Sequence, residues 1–373
     1  LRSKFTAACK EARSFQQQRD AILAMGEPLS AAGFAAYFDE RVVFLSSTKA
    51  SAVAVDTSAS NLHMTTLALH LNNRFGSASP LSGEANANLL SCLHAILDAR
   101  NIPIVTGFIG RAGFGASVSV ATVGRGGSDL SACYLGALLG AGEVRIWSDV
   151  PGMLSADPRV VGKEHARPIP YLPFRHAMEM AGGGGKLHPR ALVYAAKAGV
   201  PVRMLSTFEV GAPGTLITND CTLQPGLVGV VQLKNVTIIT IFDPAMSEAE
   251  GFVANVTRVL ARHGIIIGLI ATGEVEVTMT VTDPSRRLEE ALDEIRSEMD
   301  VEPEVIRDIS LITVVHTAID AAIEERIAAF LRRSGVEALA ISRGFSRIAF
   351  QIPVPTDEAN LVVQIIHEEL LKA

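Results

Sequence analysis

Between residues 5 and 40 the apolar positions recur every three or four residues, the spacing of an amphipathic helix, with Pro28 beside Gly26 as its break or kink. From 41 to 100 short apolar runs alternate with Ser, Thr and Asn clusters, and the stretch after Leu81, SGEANANLLSCLHAILDAR, returns to helical spacing. NIPIVTGFIG at 101–110 is continuously apolar and β-rich, which predicts a strand covered on both faces, and a second strand is expected over 117–123. The segment GRGGSDLSACYLGALLGAG begins with glycines, places Ser128 where a helix N-cap belongs, and runs on as an apolar helix to 140–142 before another strand at 144–147. Strand, glycine-rich turn, helix and strand in succession predict an α/β domain, whose ligands lie beyond the carboxyl ends of the strands.

After Pro225 the pattern repeats. HGIIIGLIATGEVEVTMTV (263–281) lies on SGVEALAISRGFSRIAFQI (334–352) at an offset of 71 residues, matching Gly264 with Gly335, Ile270 with Ile341, Gly273 with Gly344 and Val277 with Ile348. The helices in front match as well, Val256 with Ile327 and Leu260 with Leu331. Each unit reads strand, helix, strand, strand, helix, and the first continues into a strand near 301–307. The second stops at Ala373 without its last strand, while one further strand-like stretch, 227–233, stands in front of the first. That stretch is expected to cross over and complete the second unit. The predicted division is therefore 1–225, then 235–307, then 227–234 with 308–373, the last two interleaved.

Length and composition narrow the function. At 373 residues the chain exceeds one compact core and suggests two or three domains, and 48% apolar against 19% charged residues is a globular balance. Lys plus Arg number 33 and Asp plus Glu 39, a net charge of −6, so no global positive field is available for nucleic acid or anionic lipid, and neither partner is expected. Cysteines at 9, 92, 133 and 221 form no CxxC pair, which argues against a disulfide framework or a zinc site. No apolar run approaches the roughly 18 residues that span a bilayer, and the first residues lack a signal-peptide core. A cytoplasmic protein is expected, or a plastid one if a transit peptide was removed.

Three motifs carry chemistry. GRGGSD at 124–129 lies between a strand and a helix start, where free backbone N–H groups attract anions and Gly126 and Gly127 permit close approach. Arg125 offers a fork for a carboxylate and Asp129 an acceptor for an ammonium, a pair suited to a zwitterionic amino acid; the alternative is a plain cap with a local ion pair. WSDVPGMLSADPR puts Ser148 and Asp149 directly after a strand, and Asp157 and Arg159 could meet a metal or phosphate oxygens, although Asp-Pro is also ordinary turn chemistry. GGGGKLHPR places Lys186 after four glycines, able to deliver an ammonium to phosphate or to sit in a surface loop. His188 reads as a packed or capping histidine.

Taken in order, TGFIGR, GRGGSDL, SDVPGMLSADPR, KLHPRA and APGTLI resemble the aspartokinases of the amino-acid kinase superfamily, from about Ile22 to the end. MGEPLSA (25–31) is similar to the family's GE-L-SA segment, and NNRFGSA (72–78) to its TND-FG-A loop, with Asn73 where Asp is usual. The C-terminal repeat resembles paired ACT domains. The resemblance implies an amino-acid kinase αβα sandwich of the carbamate-kinase type, followed by two interleaved ACT units of the βαββαβ, ferredoxin-like pattern. It further implies transfer of the γ-phosphoryl group of MgATP to the side-chain carboxylate of L-aspartate, giving 4-phospho-L-aspartate for lysine, threonine and methionine synthesis.

By the same resemblance Arg125 would hold the substrate α-carboxylate, with Asp129 and Glu27 near its amino group. Ser148, Asp149, Asp157 and Arg159 would line the ATP site, and Lys186 would reach phosphate. Met246, Gly251, Val253, Ile267, Thr272 and Glu274 fall where relatives bind an end-product amino acid, lysine or threonine, and the ACT units imply a homodimer or higher oligomer. Gly268 stands where lysine-sensitive relatives carry Asp, and Gly273 where they carry Ser, which implies a weakened or retuned effector site. The family's KFGG-type loop has no counterpart here, since Lys4-Phe5 runs on into Thr6, and Lys186 is two residues before His188 instead of three. The first departure implies either that an N-terminal piece precedes the sequence given or that the kinase is degenerate, and the latter is a second reading: a non-catalytic regulatory subunit that keeps the sensor and a relic kinase fold.

Overall fold

The computed structural model describes residues 17, 19–20, 23–24, 42–45, 52–54, 69–113, 119–185, 187–248, 250–283, 286–336 and 346–371. Glu27, Pro28 and Lys186 lie outside the described residues, as does most of the helix expected over 5–40. The chain divides into two compact units, one of 1–152, 170–174 and 186–221, the other of 153–169, 175–185 and 222–373.

In chain order the first half contains β1 (Val42–Leu45), β2 (Ala52–Ala54), β3 (His70–Leu71), α1 (Ala87–Asp98), β4 (Ile102–Val105), β5 (Ile109–Ala112), β6 (Ser119–Thr122), α2 (Gly127–Leu139) and β7 (Val144–Ser148). There follow α3 (Pro158–Val161), β8 (Tyr171–Leu172), α4 (Phe174–Gly182), α5 (Pro189–Ala198), β9 (Val202–Ser206) and β10 (Thr215–Ile217). The second half contains β11 (Leu227–Phe242), α6 (Phe252–Arg262), β12 (Ile266–Thr272), β13 (Glu276–Thr282), α7 (Leu288–Met299), β14 (Glu304–His316), α8 (Ala321–Arg333), β15 (Ala349–Pro355) and α9 (Ala359–Leu371).

The first unit is α/β. Its strands form sheets of order β2-β1-β4, β3-β5-β6 and β7-β9-β10-β8, with β1 parallel to β4, β3 to β5 and β7 to β9. Helix α1 turns Leu89, Cys92, Leu93 and Ile96 inward, the i, i+3, i+4, i+7 stripe read from the sequence. Residues 101–110 do not make the single strand expected of them. Phe108 adopts φ +66°, splitting the run into β4 and β5, which pair in different sheets, and Ile102 is 58% exposed. An apolar run reports burial but not where the backbone turns.

The second unit contains a five-stranded antiparallel sheet of order β12-β13-β11-β14-β15. Val236–Phe242, α6, β12, β13, α7 and the start of β14 form one βαββαβ motif. The rest of β14, α8, β15 and α9 follow the same pattern, and Leu227–Leu233 pairs with Leu311–His316, beside the second repeat's first strand. This is the pairing that interleaving requires. The repeat is visible residue by residue: Gly264 and Gly335 both have φ +72° after their helices, Val256 and Leu260 enter one core, and Ile327 and Leu331 enter the other. Midway along the β11–β14 ribbon the register shifts around Val236, where Asn235 (φ +58°) and Asp308 (φ +57°) take the left-handed conformation such side chains tolerate best.

Candidate active site

GRGGSD builds a cradle at the start of α2. The N-cap is Gly126, not the expected Ser128, which sits inside the first turn. The reason is backbone geometry: residue 126 needs φ +70°, and a Cβ there would lie 2.6 Å from His188 Cβ. A Cβ on Gly127 would lie 2.2 Å from Val123 Cγ2 and 2.9 Å from Phe108 Cδ2. Both positions thus demand glycine, and the first-turn N–H groups have no intrahelical acceptor, the general condition under which a helix start attracts an anion.

Arg125 is exposed, and among the described residues it makes no hydrogen bond or ion pair. Asp129, partly buried in the first turn, likewise has no hydrogen-bond or ion-pair partner there, and burial pushes its carboxyl above the usual range. The local Arg125–Asp129 ion pair of the plain-cap alternative is not formed. One turn on, buried Cys133 is pushed up to about 12, by burial first and the Asp129 charge second. Among the described residues, the carboxylate and the guanidinium beside this helix N-terminus are thus both left unengaged.

The surrounding loops are pinned by residues the sequence reading missed. Asp20, fully buried, accepts hydrogen bonds from Gly76 N (2.8 Å), Thr122 N (2.9 Å) and Thr122 Oγ1 (2.8 Å), tying the NNRFGSA loop to the end of β6. A Cβ on Gly124 would come within 2.9 Å of Gly76 O, so that loop reaches the motif itself. His188 caps α5 through Arg190 N as expected, but it also packs on Gly126, while Arg190 donates to Ala78 O (2.9 Å) and Ser79 Oγ (2.6 Å). Phe108 N donates to Ser131 Oγ, which donates in turn to Gly127 O, fixing the TGF loop against α2. Only a 102-residue separation joins Asp20 to Thr122, and no local pattern announces it.

The second motif falls in two pieces. Ser148 and Asp149 end β7 in the first unit, with Ser148 Oγ donating to Asp149 Oδ1 at 3.1 Å and Ser148 O accepting from Thr207 N and Oγ1. Asp157 and Arg159 belong to the second unit. Asp157 caps α3 by accepting from Arg159 N (2.9 Å), and the exposed Arg159 guanidinium pairs with the same carboxylate at 2.5 Å. The Asp-Pro turn chemistry is therefore present, and the paired guanidinium stays at the surface. The glycine run is not a free loop: a Cβ on Gly183 would meet Val231 Cγ2 at 2.5 Å and one on Gly184 would meet Gln232 O at 2.2 Å, so both press on β11.

In the second unit Met246, Val253 and Ile267 pack against the core of α6, α7 and the sheet, while Gly251 (φ +76°), Thr272 and Glu274 are exposed. Gly268 lies at a register shift in β12, where a Cβ would meet Thr280 Oγ1 at 2.7 Å; that hydroxyl accepts from Leu269 N at 2.8 Å.

A family model for the amino acid kinase family matches residues 2–206. The chain is 31% identical over 315 residues to lysine-sensitive aspartokinase 3 of Escherichia coli K12, covering 82% of this chain and 68% of that protein. It belongs to the amino acid kinase family, among the aspartokinases. This aspartokinase-family chain is also 34% identical over 278 residues to the chloroplastic aspartokinase 3 of Arabidopsis thaliana, covering 71% of this chain and 48% of the relative, so it spans about half the length of that plant protein. The crystal structure of E. coli aspartokinase III in complex with aspartate and ADP, in the R-state, superposes with a TM-score of 0.82 at 28% identity, covering 99% of this chain and 80% of the other. Within this family member, the amino-acid kinase α/β fold is followed by ACT-type units, and among the described residues no helix is long and apolar enough to cross a membrane.

Proposed function

We propose that the chain phosphorylates the side-chain carboxylate of L-aspartate with MgATP, giving 4-phospho-L-aspartate for lysine, threonine and methionine synthesis. The observation that carries this reading is the unpaired couple of Arg125 and Asp129 on either side of the Gly126–Gly127 turn. The Arg125 fork takes the α-carboxylate and Asp129 takes the ammonium, with Glu27 as its neighbour in that role. Held by the two charged groups on its α-carbon, the substrate presents its distal carboxylate outward, and phosphoryl transfer needs little beyond such alignment and neutralised phosphate charge. Ser148, Asp149, Asp157 and Arg159 form the nucleotide side, Lys186 supplies a cation to phosphate, and Mg²⁺ arrives as part of the nucleotide.

The kinase domain of this reading covers 1–225, and the ACT units cover 235–307 and 227–234 with 308–373. Lysine or threonine binds near Met246, Gly251, Val253, Ile267, Thr272 and Glu274. Strand β12 supports pairing with a second copy: it is the sheet's edge, seven residues long, with Ile266 and Ile270 exposed. A homodimer through this edge, and a cytoplasmic or plastid location, complete the reading.

The test is Arg125→Ala. Aspartate KM should rise by roughly ten- to a hundredfold, the loss of a charge-assisted contact, while the Kd for MgATP stays put. Unchanged aspartate kinetics would remove the substrate assignment.

A further inference from the structure

The segment after the SDVPG turn, residues 153–169, belongs to the compact unit of the ACT repeats. Ala156 lies in the same core as Val230, Ile312, Ile327 and Ile366, and Val160 and Val161 pack onto it. Ser155 is the polar centre of this attachment and is 3% exposed. Its carbonyl accepts from Val230 N at 2.7 Å, its N–H donates to Arg167 O, and its hydroxyl accepts from Arg167 N at 2.9 Å.

The remaining partner of that hydroxyl is His367 Nε2, at 2.8 Å, on the last helix of the chain. His367 is 1% exposed. Burial, then the charges of Arg167 and His165, hold the imidazole below its usual pKa, against the opposing pull of Glu368. In the neutral tautomer protonated at Nδ1, Nε2 accepts from the Ser155 hydroxyl while that hydroxyl accepts from Arg167 N, and both hydroxyl functions are satisfied. One helical turn earlier, Gln364 Nε2 donates to Val160 O at 2.6 Å. Two contacts from one face of α9 thus bracket Asp157 and Arg159, the residues assigned to phosphate.

We propose that His367, with Gln364, is a positioning residue for nucleotide binding: α9 of the second ACT unit holds the Asp157–Arg159 turn in place through Ser155 and Val160. The proposal rests on the reading of that turn as part of the ATP site. Its logic is that this four-residue helix, capped and ion-paired within itself by Asp157 and Arg159, is tied to the rest of its unit on both flanks by one helix some 200 residues away. Anything that shifts α9 then alters affinity for ATP before it alters affinity for the amino acid.

The experiment uses the full chain, with MgATP Kd from titration calorimetry and KM values for MgATP and aspartate from turnover. His367→Ala should raise MgATP Kd and KM roughly five- to thirtyfold, the loss of one or two buried hydrogen bonds, with aspartate KM within about twofold. His367→Gln, whose carboxamide can meet Ser155, should recover most of the loss, and Ser155→Ala with His367→Ala should cost little more than either alone. Gln364→Ala, at an exposed position that does not endanger folding, should raise MgATP Kd about two- to fivefold. MgATP binding that Arg159→Ala weakens but His367→Ala and Gln364→Ala leave untouched overturns this proposal alone, as does an equal rise in both KM values. MgATP binding indifferent to Arg159→Ala overturns the nucleotide reading and this proposal with it.

Discussion

Asp129→Asn pits affinity against stability. The carboxyl sits in the first turn of α2, where the helix field favours a negative charge, yet burial raises its pKa, so desolvation outweighs the helix. Because the folded-state pKa is raised, the folded protein holds the proton more tightly than the unfolded chain. The stability this contributes is complete below the unfolded carboxyl's pKa and is lost as pH rises through the folded value. At about pH 7 the ionised group is therefore a burden, and Asn should raise the melting temperature there, with the gain disappearing by about pH 4. The same change replaces the charged acceptor proposed for the substrate ammonium with a neutral amide oxygen, weakening a charge-assisted bond of about 1.5–3 kcal/mol, so aspartate KM should rise by up to roughly ten- to a hundredfold at saturating MgATP. The Cys133 thiol, relieved of a neighbouring charge, should also titrate below its present value of about 12. A lower melting temperature at neutral pH would refute the electrostatic reasoning, and an unchanged aspartate KM would refute the assigned role.

Asp20→Asn puts an amide against the donors Gly76 N and Thr122 N, so it should cost about 1–3 kcal/mol by urea unfolding and loosen the NNRFGSA loop, seen as faster amide exchange at Gly76. Gly126→Ala combines a φ of +70° with a 2.6 Å approach to His188 and should lower stability by about 1–2 kcal/mol or more; a melting curve superimposable on the parent's would contradict it. Lysine should inhibit weakly, because Gly268 supplies no carboxylate for its ammonium; sub-millimolar inhibition in a turnover assay would count against this. Restoring the acid with Gly268→Asp must push aside the Thr280 hydroxyl that holds Leu269 N, so any gain in lysine sensitivity should come with a lower melting temperature.

Much of this was legible before any coordinates. Glycines at 126 and 127, the 71-residue repeat and the crossing strand at 227–233 are local or periodic signals, and each reappears as a backbone angle, a matched pair of core residues or a strand register. What escaped was long-range and polar. Asp20 is one acid in a helical run until Thr122 comes to it, His188 looks like a cap until Gly126 packs on it, and 153–169 read as kinase sequence yet packs with the C-terminal unit. The split at Phe108 and the N-cap at Gly126 were missed for a simpler reason: a positive φ overrode residue preference.

The two repeats are separable on paper but not in the molecule. Strands β11 and β14 each begin in one repeat and end in the other, hinged at Asn235 and Asp308. Cutting between the repeats would strip each of a border strand, so neither half is a module that could be borrowed, swapped or lost alone. Whatever ties one repeat to its place in the sheet therefore ties down its sibling as well, through the two strands they hold in common.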